Sequence, residues 1–321
     1  MIGPRVYVSI VTYNSLALHG EPCLKKCLDA VFAQRGFEAG SNLFVRLCDN
    51  ASEDGLEAWV KRQFADAPLK VSVNAANLGF SAAHNQNIQE ALDWGARYVL
   101  ILNPDVALQP QALSCLTEAL ERDPQCGSAT PCLYRADAEL AAVTPRRFDA
   151  AGMYITRALR HFDRGSGEVD QGQYAICEYV FGGSGACLLL RSAFIEDAAL
   201  DAGELEKESA KVFPQLRCDS KPRLRLFDEG FFAYREDADL SWRGQLLGWR
   251  CLYVPEAQAF HRRVVLPERR RALAPELNLH SVRNRFLLQV NNYVFGHAPW
   301  AFLEGVLLRN LLVILGVCLW E

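Results

Sequence analysis

The chain has 321 residues, of which 50% are hydrophobic and 22% charged, so it is long enough to bury a large core and has the composition of a folded protein. A net charge of −4 gives no overall positive field for phosphates, which argues against nucleic acid as a partner. The 11 cysteines form no Cys-x-x-Cys pair and none of the Cys/His spacings of zinc sites, so we expect reduced thiols and a cytoplasmic setting.

The first half of the chain alternates strand-like and helix-like stretches, which predicts an α/β fold with a Rossmann-like, mostly parallel central sheet flanked by helices. The predicted strands cover residues 6–13, 43–52, 69–75 and 97–106, and the predicted helices cover about 22–34, 54–64 and 82–94. Polar residues follow the end of each strand. Because open α/β sheets bind ligands beyond the carboxyl ends of their strands, this edge is the expected binding site.

The second half is less regular. Residues 131–173 are rich in Gly, Arg and Asp, and we expect irregular structure there. A glycine turn, a buried strand and a helix start are predicted over 178–194, and the charge-dense stretch 196–226 is predicted to be a solvated insertion. A helix beginning near Glu236 and a strand over 250–255 follow.

The last part of the chain is strongly apolar and aromatic, but Pro299, Glu304 and Arg309 interrupt it. Since a membrane span needs roughly 20 apolar residues, 298–320 is a borderline span. We favour a helix on a membrane surface, ahead of a helix packed on the domain or on a second subunit in a homodimer, and ahead of a span. No signal peptide is visible, because residues 1–4 lead directly into the first strand, so we expect the catalytic part to stay in the cytoplasm.

Asp105 comes directly after an apolar strand, in the turn Asn103-Pro104-Asp105. Pro104 fixes the local backbone and favours an extended Asn103. A lone carboxylate in such a turn suits a hard divalent cation, which takes few protein carboxylates and fills its other positions with water and phosphate oxygens. The alternative is a turn aspartate that only bonds its own backbone.

Glu236, Asp237 and Asp239 place three carboxylates in four positions at a predicted helix start. One carboxylate there stabilises the helix N-terminus, but three are more than this requires. Like charges raise one another's proton affinity, which is how a general base is tuned. Glu236 and Asp239 lie on similar faces of a helix and Asp237 on another, so we expect two distinct tasks, one orienting and one proton-accepting.

Seven motifs in order between residues 6 and 263 resemble those of the family 2 glycosyltransferases, and most closely a bacterial rhamnosyltransferase branch. They are SIVTYN, LCDNASEDGL, NAANLGFSAAHNQNI, YVLILNPDV, GGSGACLLLRSAF, FDEGFFAYREDADLSWR and GWRCLYVPEAQAFHR. The resemblance implies a GT-A fold, a nucleoside diphosphate sugar donor and inversion at the anomeric carbon. It favours dTDP-rhamnose as donor, with UDP-sugars next.

By the same resemblance, several residues take roles in donor binding. Thr12 and Asn14 would lie along the nucleotide, and Asp49 would accept a hydrogen bond from a pyrimidine base. Asn77, Gly79 and Phe80 would form the donor loop, in which Gly79 permits a tight turn, and Asn85 would approach the diphosphate or the sugar.

The two acidic motifs also match the family. Asn103-Pro104-Asp105 stands where the family has its DxD metal motif. Because the first position is Asn, Asp105 would be the main carboxylate for Mg²⁺ or Mn²⁺, and Asn103 would contact the donor. His261 fits a position that completes the metal or diphosphate site, with a structural loop histidine as the alternative. Asp237 would be the catalytic base, with Glu236 beside it.

One region of this acidic chain is basic. Guanidinium groups pair well with phosphate oxygens, so donor diphosphate, a lipid diphosphate and anionic headgroups are all candidate ligands, and a solvated basic loop is the alternative. Arg283 is our choice for donor binding. The basic residues are Arg262, Arg263, Arg269, Arg270, Arg271, Arg283 and Arg285.

Together these observations predict a GT-A domain over 1–265, with a nucleotide-binding half 1–130 and an acceptor half 131–265, and a basic then apolar helical tail over 266–321. The expected activity is inverting transfer of a sugar to a hydroxyl of a saccharide or lipid-linked saccharide in cell-envelope polysaccharide synthesis, at the cytoplasmic face of the inner membrane. The alternatives are a nucleotidyltransferase, although the sequence has neither a GxGxxG loop nor a Walker lysine motif, and a non-catalytic nucleotide-sugar-binding protein on the same fold.

Overall fold

The computed structural model describes residues 3–200, 224–263, 275–294 and 299–320. The predicted charged insertion therefore lies mostly outside the described residues, as do Arg269, Arg270 and Arg271.

The first half of the chain forms a parallel sheet with the spatial order β3-β2-β1-β4. This confirms the four predicted strands and the three predicted helices. The strands are β1 (Val6–Thr12), β2 (Leu43–Asp49), β3 (Leu69–Val73) and β4 (Tyr98–Leu102). The helices are α1 (Ser15–His19), α2 (Glu21–Phe32), α3 (Leu56–Gln63) and α4 (Gly79–Asp93).

The second half extends the same sheet and adds a separate two-stranded antiparallel sheet, formed by Met153–Ile155 and His161–Asp163. Its strands are β5 (Val106–Leu108), β6 (Cys126–Arg135), β7 (Phe148–Ala150), β8 (Met153–Ile155), β9 (His161–Asp163), β10 (Glu178–Val180), β11 (Cys187–Arg191) and β12 (Arg250–His261). Its helices are α5 (Ala112–Arg122), α6 (Ser192–Ala198) and α7 (Glu236–Leu246). The prediction of irregular structure from residue 131 was wrong for its first part, because β6 is a buried strand of the central sheet.

The whole sheet has the order β10-β12-β6-β11-β4-β1-β2-β3. β11 runs antiparallel between β4 and β6, whereas β12 runs parallel to β6. The prediction of a mostly parallel sheet is therefore confirmed for the first half, and the complete sheet is mixed. β5 and β7 pair with β12 and β6 beside this path.

Helices cover both faces of the sheet. In β1, Val6, Val8 and Ile10 pack in one core with residues of α2, α3 and α5, whereas Tyr7 packs in a second core with residues of α4, α6 and α7. This follows from the two-residue alternation of a strand, because successive side chains point to opposite faces. Cys23 and Cys27, one turn apart on α2, are fully buried in the first core.

Two helical segments follow the sheet. α8 (Pro275–Asn292) lies against α7 and the 3-10 turn Glu229–Phe231. The C-terminal helix, 299–320, consists of the contiguous segments Pro299–Ala301, Phe302–Leu308 (a π-helix) and Arg309–Trp320. Within the described residues one helical stretch, Pro299–Gly316, is long and apolar enough to cross a membrane by length and composition.

Candidate active site

The structure brings the two acidic motifs together through one short turn. The backbone N–H of Asn103 donates to the carbonyl oxygen of Ala186 at 2.9 Å. Gly185, the residue before Ala186, donates its backbone N–H to Oδ2 of Asp237 at 3.0 Å. The turn before β11 therefore connects the end of β4, which leads to Asp105, with the start of α7, which carries Asp237.

Asp105 lies in a buried ionic network. Its Oδ1 is 3.5 Å from Nε2 of His261, and the other ring nitrogen of that histidine, Nδ1, is 2.7 Å from Oδ2 of Asp149. Arg263 approaches Asp149 at 3.4 Å and Asp163 at 2.6 Å. β12 and β5 create this arrangement, because their antiparallel pairing sets His261 opposite Val106, the residue after Asp105.

Charge governs the protonation of this network. Burial opposes the charged form of His261, but the carboxylates of Asp105 and Asp149 outweigh it and raise the pKa of His261 to about 10. Burial likewise opposes the ionised form of Asp105, and the positive His261 holds the pKa of that carboxyl below its usual value. Without a bound cation, the group is thus an imidazolium between two carboxylates.

The residues around Asp105 fit a divalent cation with few protein ligands. The contact of His261 with Asp149 is the carboxylate–histidine pair that orients metal-binding imidazoles. His19 approaches the other Asp105 oxygen, with Nδ1 3.6 Å from Oδ2, and this buried nitrogen has no hydrogen-bond partner. Burial lowers the pKa of His19, which favours the neutral form that binds metals. No group of three or more His, Cys, Asp or Glu side chains in the described ranges is arranged as a complete metal site.

The predicted base, Asp237, is half-buried at the start of α7. Its Oδ2 accepts the bond from Gly185, and its Oδ1 accepts one from the backbone of Ala238 at 2.8 Å. A Cβ on Gly185 would lie 3.5 Å from Cβ of Asp237 and 3.2 Å from the ring of Phe80. Glycine at this position therefore lets the turn approach both the carboxylate and the donor loop closely.

The two other acids of this cluster differ from Asp237. Glu236 is buried, its Oε2 has no hydrogen-bond partner, and burial together with the charge of Asp237 raises its pKa to about 8. Asp239 accepts from Asn292 at 2.6 Å and from Arg243 at 3.2 Å. Asp239 therefore ties α7 to α8, and Asp237 is the carboxylate of this cluster that is only partly buried.

The loops after β1 and β2 form one unit at the carboxyl edge of the sheet. Asn14 has a left-handed backbone and accepts from the backbone of Glu53 at 2.8 Å, while its own N–H donates to Ser52. Asp49 is buried and accepts from the Ser52 hydroxyl and backbone N–H. Thr12 is buried, with its hydroxyl 3.4 Å from the carbonyl oxygen of Cys48, so its side chain joins two strands and faces no open cleft.

The predicted donor loop begins α4, three residues earlier than expected. Asn77 Oδ1 accepts from the backbone N–H of Gly79 at 2.9 Å, which starts the helix. Gly79 has a φ of +81°, and a Cβ there would lie 2.5 Å from the carbonyl oxygen of Phe232. That same carbonyl accepts from the backbone N–H of Phe80 at 2.7 Å. Gly79 therefore serves two purposes, a left-handed turn and a close approach to the segment before Asp237.

Two of the predicted donor-binding side chains contact the protein backbone. Asn85 is buried, and its amide donates to the carbonyl of Phe227 and accepts from the N–H of the same residue, both at 2.9 Å. Arg283 donates to the carbonyl oxygens of Gly230 and Phe231. Both side chains hold the 227–231 segment in place.

Sequence reasoning missed Asp149, His19 and Gly185. Asp149 lies on a three-residue strand in the stretch predicted to be irregular, and its pairing with His261 depends on strand order. His19 lies five residues after Asn14, at the C-terminal end of α1, and its place in the site depends on how that short helix packs. The glycine-rich sequence around Gly185 was visible, but only its contact with Asp237 reveals its importance.

The chain is similar in sequence to known proteins. The family model of glycosyl transferase family 2 matches residues 7–191. The N-acetylglucosaminyl-diphospho-decaprenol L-rhamnosyltransferases of two Mycobacterium tuberculosis strains are 26% identical over 227 residues, which cover 68% of this chain and 66% of the relative. The match thus spans just under two thirds of their length.

Solved structures share the fold at low sequence identity. GalNAc-T7 with UDP, GalNAc and Mn²⁺ superposes with a TM-score of 0.61 at 13% identity, covering 89% of this chain and 48% of that one. Staphylococcus aureus TarS 1–349 with UDP-GlcNAc gives 0.56 at 15%, covering 95% and 72%. A mannosyltransferase from Pyrobaculum calidifontis with GDP-Man and Mn²⁺ gives 0.53 at 17%, covering 98% and 80%. The predicted GT-A fold is confirmed.

Proposed function

Because this chain belongs to glycosyl transferase family 2, we propose that it transfers a sugar from a nucleoside diphosphate sugar to an acceptor hydroxyl, with inversion at the anomeric carbon. The observation that carries the proposal is the turn at Gly185 and Ala186, which contacts Asp237 on one side and Asn103 on the other. A base for the acceptor and a carboxylate for the donor diphosphate thus lie at one edge of the sheet.

Asp237 accepts the proton of the attacking hydroxyl. Backbone N–H groups contact both of its oxygens and fix the direction of the carboxylate. Glu236 is neutral at pH 7, so it adds no second negative charge beside the base. Proton acceptance by a positioned side chain contributes about 10²- to 10⁴-fold to a rate.

The departing nucleoside diphosphate gains negative charge, and the residues around Asp105 are suited to it. Asp105 and His261 would hold Mg²⁺ or Mn²⁺, with His19 beside them, and the cation when bound would stabilise the charge on the diphosphate. Asp149 orients His261 from the other ring nitrogen. The relatives crystallised with Mn²⁺ support this assignment.

The donor and acceptor are proposed from the relatives. The mycobacterial proteins are named as rhamnosyltransferases acting on a diphospho-decaprenol-linked sugar. We therefore propose dTDP-rhamnose as the first donor to test, UDP-sugars as the second, and a lipid-linked saccharide of the cell envelope as acceptor. We propose that the nucleotide contacts Asp49 and Asn14, which lie at the ends of β2 and β1.

The two faces of the C-terminal helix support a proposal that the protein acts at a membrane surface. Its polar side is turned inward, with Asn310 bonded to Gln289 at 2.6 Å and to Arg285 at 3.1 Å. Its leucines at four-residue spacing are turned outward and are about half exposed: Leu303, Leu307, Leu311 and Leu315. An outward apolar face is suited to lipid, so we propose that this helix lies on the cytoplasmic face of the inner membrane.

Asp237→Asn tests the activity. We expect transfer from dTDP-rhamnose to a lipid-linked acceptor to fall by at least about 10²-fold, because the amide cannot accept the proton. Binding of dTDP with Mn²⁺, measured by calorimetry, should stay within a few-fold of wild type. Glu118→Gln on the exposed surface of α5 serves as control. Undiminished transfer by Asp237→Asn would exclude Asp237 as base. Release of inorganic diphosphate from a nucleoside triphosphate, with no requirement for a sugar donor, would instead favour a nucleotidyltransferase.

A further inference from the structure

The segment that leads into Asp237 has an unusual backbone. Phe232, Tyr234 and Arg235 have φ angles of +63°, +71° and +75°. Left-handed backbone is unfavourable for residues with a Cβ, and it persists only where the surroundings hold it. Three such residues within four positions directly before Glu236 and Asp237 therefore require an external support.

Asn284 on α8 supplies that support. Its side chain is fully buried, and Nδ2 lies 2.7 Å from the carbonyl oxygen of Phe231, 2.8 Å from that of Ala233 and 2.8 Å from that of Tyr234. One amide group thus contacts three of the four carbonyls that precede Arg235. Oδ1 in turn accepts from Nε of Arg283 at 3.1 Å, which fixes the orientation of the amide.

The supported segment touches both parts of the active site. The carbonyl oxygen of Phe232 accepts from the N–H of Phe80 in the donor loop at 2.7 Å. Arg235 precedes α7 directly and donates to the carbonyl oxygen of Ser281 on α8 at 3.1 Å. A change in the backbone between Phe231 and Arg235 would therefore redirect the start of α7, where Asp237 must meet the acceptor hydroxyl.

We propose that Asn284 is a positioning residue for the catalytic base: it holds the left-handed backbone of 232–235 so that Asp237 faces the turn at Gly185. The proposal rests on the glycosyltransferase function proposed above. An amide is the group required here, because it donates two N–H bonds, whereas aspartate at the same place would set a carboxylate against three carbonyl oxygens.

Kinetics of Asn284→Ala and Asn284→Asp test the proposal. Asn42→Ala is the matched control, because Asn42 is also buried and also holds loop carbonyls, those of Gly3 and Gly36, at a distance from the acids. We expect all three variants to lose thermal stability. Only the Asn284 variants should lose kcat, by about tenfold to hundredfold, since small misplacement of a reacting group has effects of this size. Their Kd for dTDP with Mn²⁺ should stay within about threefold of wild type. The loops after β1 and β2, where we propose the nucleotide binds, are joined by their own hydrogen bonds and do not depend on Asn284.

A second substitution distinguishes positioning from general destabilisation. Glycine adopts positive φ without strain, so Tyr234→Gly in the Asn284→Ala background should recover part of the lost kcat. The proposal would be overturned if the Asn284 variants had the same kcat as Asn42→Ala, or if adding Tyr234→Gly to Asn284→Ala lowered kcat further. In either case, sugar transfer by the wild type would still support the enzyme function. Absence of sugar transfer by the wild type would instead contradict the proposed function.

Discussion

His261 makes two contacts of different kinds, and this difference defines the role of Asp149. Nε2 faces Asp105, where a cation would bind, whereas Nδ1 lies against the buried Asp149 carboxylate. A carboxylate on the far nitrogen fixes the ring and makes the near nitrogen a better ligand. Asp149 is therefore expected to affect cation binding without touching the cation.

Asp149→Asn should weaken Mn²⁺ binding about 10- to 100-fold, the usual effect of removing such a partner. The measurement is titration of free Mn²⁺ by electron paramagnetic resonance in the presence of dTDP. Asp163→Asn is the control, because Asp163 bonds Arg263 in the same network but makes no bond to His261. Equal losses in both variants would mean that the network matters only for its total charge.

Glu236 should make stability depend on pH. Its pKa is about 8 in the folded protein and near 4.5 when it is freely solvated, so the folded state holds a proton that the unfolded state has lost. The free energy of unfolding therefore falls as pH rises from 5 to 9, with a slope of up to about 1.4 kcal/mol per pH unit from this group.

Glu236→Gln removes this titration, and the variant should gain stability over wild type steadily between pH 5 and pH 9. Denaturant unfolding at both pH values measures the difference. The exposed Glu118→Gln provides the comparison and should keep the wild-type pH dependence. A constant difference between Glu236→Gln and wild type across this range would show that Glu236 ionises normally.

Single residues were predictable where a motif fixes both their type and their place. Asp105 and Asp237 follow from what precedes them, a buried strand in one case and a helix start in the other. Asn85 and Arg283 were assigned to the donor, and in the fold each side chain also bonds the backbone of the 227–231 segment. Sequence alone does not distinguish an amide or guanidinium aimed at a ligand from one aimed at a carbonyl.

Among the elements, the C-terminal helix differs from an ordinary surface helix, because its polar residues face the protein and its leucines face outward. Asn310 and Gly305 face the protein, and Gly305 is necessary there because a Cβ would lie 2.9 Å from the backbone of Ala158. Leu307 and Leu311 face outward and are about half exposed. Composition had left three placements open for this helix. The inward polar contacts favour a helix docked on the protein with its other face available to lipid.

The double variant Leu307→Glu/Leu311→Glu should release the protein from lipid vesicles containing anionic headgroups. Charges on the side of an interfacial helix that enters the lipid are costly to insert. Flotation measures the bound fraction. Ile176→Glu is the control, because Ile176 is 74% exposed yet lies outside this helix. Unchanged flotation of the double variant would exclude the membrane contact, and a change from dimer to monomer on size exclusion would instead identify the face as a subunit interface.

A strand was predictable from the sequence where its own residues contain the signal that forms it. The first four strands have hydrophobic runs bounded by polar turns, and their positions were predicted to within a few residues. β7, β8 and β9 are only three residues long. β7 forms on the free edge of β6, whereas β8 and β9 pair with each other across a short turn, and segments this short carry little periodicity in their own sequence.

At the scale of the whole molecule, the two halves of the enzyme share one sheet. β11 of the second half lies between β4 and β6, and β12 returns beside β6 and β5. The residues proposed to bind the cation are divided accordingly, with Asp105 after β4 and His261 at the end of β12. The predicted boundary near residue 130 falls inside β6, so no structural division of the sheet corresponds to it.

This shared sheet predicts a single cooperative unfolding transition that ligand binding shifts as a unit. In the proposed site the donor nucleotide would contact the loops after β1 and β2, and the cation would also contact His261 on β12, so dTDP with Mn²⁺ should stabilise both halves together. At 100 times its Kd a ligand adds about 2.7 kcal/mol, which corresponds to a rise of several degrees in Tm. Scanning calorimetry of wild type with and without dTDP and Mn²⁺ measures this. His261→Gln should keep the single transition and lose most of the Mn²⁺-dependent part of the shift, whereas two separate transitions would show that the halves fold independently.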